Sequence, residues 1–156
     1  MLSLVGGTAF AANSLPTETH HIVPTSLAVE AAQAAIASCK AQGWNVSVTV
    51  ADRSGNARLV LMGDGANLLT KEVTRRKAYT AALLGIPTGD FAKRIATPGA
   101  FNPMVYDPQM AAGPGGLPIK AGTETIGGIA AAGAPGGDKD EACAAAGLAK
   151  ISDRLN

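Results

Sequence analysis

The sequence predicts an α+β fold in which helices cover an antiparallel sheet, and three observations lead there. Strand-like runs come in pairs joined by tight turns, as in VTVADRSGNARLVLMGDG at 48–65, so neighbouring strands connect as hairpins rather than by βαβ crossovers. Alanine-rich stretches with helical spacing stand before, between and after those pairs. Finally, 47% hydrophobic against 16% charged residues in a chain of 156 is material for one domain with a real core.

The elements follow in order. Residues 1–12, MLSLVGGTAFAA, are apolar and uncharged and end in the small-x-small spacing Ala9-Phe10-Ala11. They read as the remnant of a secretory signal peptide without its basic n-region, too short to span a bilayer, and predict a periplasmic or secreted protein, with an uncleaved cytoplasmic leader as the alternative. Residues 13–24 read as an N-terminal arm, and 25–156 as the single domain. Thr25 is the expected cap of a helix reaching to 41, with Gly43 as its stop. A strand over 45–51 places Val46, Val48 and Val50 on one face, and Asp52 opens an Asx-type turn into a second strand over 57–62. A long helix spans 67–84, where Val73, Lys77, Ala81 and Leu84 share a face and turn Lys77 toward an otherwise apolar side. A shorter helix over 90–95 precedes an irregular stretch, 97–116, with four prolines, a length of loop that is usually functional or disordered. A second hairpin, 117–121 and 125–132, turns around Gly122. Asp138 and Glu141 form a capping pattern for a last helix whose stripe is Ala144, Leu148, Ile151 and Leu155.

Several function classes fall away on composition. Thirteen basic and twelve acidic residues leave a net charge of +1, so nothing favours nucleic acid or an anionic membrane surface. Aromatic residues are 4%, which leaves few rings for stacking bases. The glycine-rich run from Gly113 to Gly147 suggests a pocket rim, because glycine serves where backbone turns through positive φ or lies close to another group. It is not a phosphate loop: Lys120 is preceded by Ile119 and followed by Ala121, and Gly113-Pro114-Gly115-Gly116-Leu117-Pro118 opens a strand rather than a helix. Cys39 and Cys143 fit either a disulfide between adjacent helices or two small buried hydrophobes.

Catalytic sets are sparse, since the only histidines, His20 and His21, lie in the arm. Any chemistry would belong to a bound cofactor. An imidazole is a common haem-iron ligand, and a mobile arm can reach a pocket, although paired histidines in such an arm are ordinarily solvated. Met104, Tyr106 and Met110 are alternative axial types. Lys77 and Lys93, with Arg75, Arg76 and Arg94, are candidate partners for carboxylates, Arg75 and Arg76 being expected on the solvated face. Asp52 reads as a turn residue and Glu124 as a turn or exposed strand residue unless it lines the pocket.

Five motifs in order carry a family resemblance: VxVxDxxG at Val48, Val50, Asp52 and Gly55; KAxTAA at Lys77 to Ala82; GGxPI at Gly115, Gly116, Pro118 and Ile119; IGxIxxxGA from Ile126 to Ala134; and DxxCAxAG from Asp140 to Gly147. Over roughly 25–155 the chain resembles the GlcG/HbpS family of haem-binding proteins, which includes the C-terminal domain of PduO-type cobalamin adenosyltransferases. The resemblance implies a profilin-like α/β/α arrangement with about five antiparallel strands. It also implies a homo-oligomer, octamers among them, with haem, cobalamin or another tetrapyrrole as ligand. Related haem-binding members use a histidine from the N-terminal region, which points to His20 or His21 as the metal ligand. The family pattern also has a lysine at Lys77. The expected pocket is walled by the 113–119 loop, with Gly115, Gly116 and Pro118, and by the helix carrying Lys77. The function expected is haem storage, sensing or buffering. The alternatives are an enzyme degrading haem or acting on a small organic acid, and a ligand-free oligomeric module.

Overall fold

The computed structural model describes residues 19–155; the signal-like segment 1–12 and most of the arm lie outside the described residues. The chain runs α1 (Thr25–Lys40), β1 (Ser47–Asp52), β2 (Ala57–Met62), α2 (Leu68–Leu84), α3 (Thr88–Ala96), β3 (Gly116–Ala121), β4 (Glu124–Ala132) and α4 (Gly137–Ile151), with single 3-10 turns at Pro103–Val105 and Ser152–Arg154. The strands form one antiparallel sheet in the order β2-β1-β4-β3. The predicted α+β class is the observed one, with four strands in the sheet rather than about five. Residues 97–115 add no strand: the prolines at 98, 103, 108 and 114 lack the N–H that a ladder requires, and the stretch lies along α2 instead.

The two sheet faces are built from different material. Val48, Val50, Ile119 and Ile129 turn to one side and meet Ala28, Ala31, Ala32 and Ala35 of α1 and Ala144 and Ile151 of α4. The other side carries Ser47, Thr49, Ala51, Gly128 and Ala130 and takes α2. Hydroxyl pairs join α2 to the sheet, Ser47 to Thr70 at 2.7 Å and Thr49 to Thr74 at 2.8 Å. A Cβ on Gly128 would stand 2.3 Å from the Ala78 carbonyl oxygen, so glycine there lets the helix backbone rest directly on β4. Cys39 and Cys143 are disulfide-bonded between α1 and α4.

Two capping expectations are corrected. Pro24, not Thr25, precedes the first helical turn, and no side chain caps it; proline's fixed φ suits this position. At α4 the cap position is Gly136, at φ 132°, and Asp138 makes no cap bond. Asp140 and Glu141 reach away from the helix: Asp140 accepts the Ala134 N–H at 2.8 Å and Glu141 the Gly115 N–H at 3.1 Å. Asn67 caps α2 by accepting the Leu69 N–H, and the Asp52 carboxylate accepts the N–H groups of Ser54 and Asn56 as an Asx turn.

Candidate functional site

The histidines and the glycine-rich loop occupy opposite ends of the second hairpin. Val23 is buried beside Gly127 and ties residues 19–24 down over the turns of both hairpins. There the Glu124 carboxylate, at the first position of β4, gathers three cationic or polar groups. His21 Nδ1 lies 2.6 Å from Oε2, His20 Nδ1 3.7 Å from Oε1, and an Arg53 guanidinium nitrogen 4.0 Å from Oε1. The His21 imidazole and backbone N–H hold the Glu124 carboxyl below its usual range, so the carboxylate accepts and Nδ1–H donates. Oε1 is shielded from solvent and has no hydrogen-bond partner among the described residues. The His21 side chain remains 70% exposed and that of His20 37% exposed, leaving both rings within reach of a ligand.

At the other end, Lys77 is buried on α2 and its Nζ donates to the Pro114 carbonyl at 2.6 Å. Burial pulls its pKa below the usual lysine range, and the Asp140 and Glu141 carboxylates oppose that shift; burial likewise raises Asp140. A Cβ on Gly115 would lie 2.9 Å from the Ala131 carbonyl oxygen and 3.0 Å from Lys77 Nζ, while Gly116 exchanges hydrogen bonds with the Thr88 hydroxyl. The space expected between this loop and the lysine helix is therefore filled by the chain itself. Glycines 115 and 116 allow close packing rather than opening a cavity, and Pro118 sits opposite Gly128 in the edge strand β3.

An open groove of about 470 Å³ lies beside the loop instead, between α3 and α4, with Asp90, Lys93, Pro114, Leu117, Glu141 and Ala145 among its walls. Its volume falls within the usual range of small-molecule sites, about 300–1,000 Å³. Lys93 is already paired with Asp90 at 2.9 Å. β3 separates the histidines from Lys77, and at about 3.3 Å per residue its six residues put them roughly 15–20 Å apart. One protomer does not bring the two sets of sequence-predicted residues together.

Of the alternative axial types, Met110 is buried as packing, and Tyr106 is exposed and stacked on Phe101 with ring centroids 5.8 Å apart. Arg76 is half-buried and bound to the long loop as well as facing solvent. Its guanidinium donates to the carbonyls of Pro108, Gln109 and Met110 and, with Tyr79 Oη on Asp107 at 2.6 Å, straps the long loop to α2. The sequence reading weighed Glu124 but missed its pairing with His21, and it did not single out Arg53: 103 residues separate Glu124 from His21, and no local spacing announces such a pair. Among the described residues no group of three His, Cys, Asp or Glu is disposed as a metal cage, and no helix is long and apolar enough to cross a membrane.

Comparison with known proteins places this arrangement in context. A family described as "Haem degrading protein HbpS-like" matches residues 23–149. The crystal structure of HbpS is 39% identical, covering 91% of this chain and 97% of that one, with a TM-score of 0.78. A double glutamate-to-aspartate variant of Streptomyces reticuli HbpS is 37% identical over 94% and 97%, with a TM-score of 0.77. The fold recurs at 20% identity in the complex of PduOC with haem, covering 84% and 96%, with a TM-score of 0.75. No curated protein matches the sequence. With residues 23–149 matched, well over half of the chain, and both HbpS structures well above 30% identity, this chain belongs to the HbpS-like family.

Proposed function

We propose that this protein binds haem through its N-terminal imidazoles and serves to store, sense or buffer it. The observation that carries the proposal is the docking of the chain's only two histidines on one carboxylate of the folded domain, with their rings exposed. The residues fit the group. Imidazole is a standard axial donor to haem iron, and Arg53, beside the imidazoles, offers the planar fork that pairs with propionates, the role expected at first of Lys77. Lys77, Gly115, Gly116 and Pro118 then act at a distance, shaping the wall between the domain core and the groove. The family description and the haem complex of a fold relative support the tetrapyrrole class; cobalamin remains the alternative ligand.

Because the rings face outward, one protomer covers a single face of a macrocycle, and we place the second face against another copy in a homo-oligomer. The disulfide, buried in the α1–α4 contact, supports export to an oxidising compartment. When bound, haem supplies the iron chemistry; the chain's own residues orient it and hold its carboxylates. The family description favours haem degradation as a second reading. Titrating purified protein with haemin tests the first: a shifted Soret band is expected, and lost when His20 and His21 are both changed to Ala. A band that survives the double change sinks the ligand assignment. Adding reductant and oxygen to the loaded protein separates the readings, because turnover bleaches the band and storage keeps it.

A further inference from the structure

We propose that Glu124 is the positioning residue of the haem site: by accepting the Nδ1 proton of His21 it selects that histidine as the axial donor and presents Nε2 to iron. This rests on the haem reading above. A neutral imidazole has one N–H and one lone pair, and an ionised carboxylate can only accept. With Nδ1 of His21 2.6 Å from Oε2, the proton sits on Nδ1 and the lone pair on Nε2, at the far edge of an exposed ring. His20 differs. Its Nδ1 is 3.7 Å from Oε1, beyond hydrogen-bond length, so the Nδ1 proton this carboxylate accepts is that of His21.

Glu124 is itself well held for the task. It begins β4, opposite Ala121 across the turn, and Arg53 stands on its other oxygen at 4.0 Å. With its side chain 30% exposed and Arg53 beside it, the group stands as a carboxylate, able only to accept. An anionic acceptor on Nδ1–H makes the opposite nitrogen more basic, and a more basic axial donor favours ferric over ferrous iron. Such outer partners ordinarily change metal affinity by about 10–100-fold. Glu124 thus sets both which histidine binds and how readily the iron is reduced.

The test is haemin titration and potentiometry on wild type, His20→Ala, His21→Ala, Glu124→Gln and Glu124→Asp, with circular dichroism to confirm the fold. His21→Ala should lose the Soret shift and His20→Ala keep it. Glu124→Gln should bind haemin about 10–100-fold more weakly. At the wild-type midpoint its ferrous-to-ferric ratio should rise about tenfold, a shift of about 59 mV for one electron. Glu124→Asp should recover part of both. If Glu124→Gln matches wild type in affinity and midpoint while His21→Ala loses haem, the role of Glu124 is overturned and haem binding stands. If His20→Ala is the variant that loses the band, the selection of His21 is overturned, again with haem binding intact. Wild type that takes up no haemin overturns both.

Discussion

Among the described residues, Lys77 and Asp140 are the two charged side chains that the fold takes inside, and burial shifts each toward its neutral form, the lysine down and the aspartate up. The two therefore act on stability in separate windows. Asp140 keeps its proton in the folded state at pH values where the unfolded chain has released it, so its contribution falls as pH rises from the usual aspartate range. Lys77 does the reverse: the unfolded chain binds the proton more tightly, and its contribution rises with pH just below the usual lysine range. Asp140→Asn keeps an oxygen for the Ala134 N–H but removes the titration. As pH rises from the usual aspartate range of about 4, urea midpoints of this variant should gain on wild type; parallel curves would show that Asp140 is not shifted. The sequence showed Lys77 facing an apolar side, which is correct, but its partner, the Pro114 carbonyl, lies 37 residues away. A helical period reports which face a side chain occupies and says nothing of what another segment lays across it.

At the scale of elements, the helices were legible because their periodicity and punctuation are local: Asn67 and Gly85 bound α2 as cap and left-handed stop. The starts of α1 and α4 were displaced: Pro24 and Gly136 take the cap positions, and Glu141, which has the right chemistry for a capping box, accepts the Gly115 N–H across space instead. The close approach of elements is also tertiary. A Cβ on Gly147 of α4 would lie 2.4 Å from the Ala31 carbonyl oxygen and 2.9 Å from the Ala35 Cβ, so the backbone of α4 rests here directly on the Ala31 backbone and Ala35 methyl of α1. In an isolated helix Gly147→Ala would stabilise by about 1 kcal/mol. Here the methyl group must push two disulfide-linked helices apart, and we expect a loss of about 3 kcal/mol, from overpacking in a core that cannot yield. Equilibrium urea denaturation decides between the two signs.

Over the whole molecule, the Cys39–Cys143 disulfide joins residues 104 apart and so closes most of the domain into one loop. On the chain-entropy account a loop of that length is worth about 4–5 kcal/mol, mainly by restricting the unfolded chain. Replacing both cysteines by Ala should lower unfolding stability by about 4 kcal/mol; adding reductant to folded protein should act slowly, because both sulfurs are buried. A variant as stable as wild type under oxidising conditions would show that the helix pair holds without the bond. Hairpin pairing, helix count, the α+β class and the family were all determined by the sequence alone, because turn residues, alternation and alanine spacing act within a few positions. Only the tertiary structure decided that the glycine loop closes on Lys77, that Arg76 straps the long loop, and that Glu124 meets His21. Those contacts join residues dozens of positions apart, and their partners are selected by packing of the sheet and helices, which no local pattern encodes.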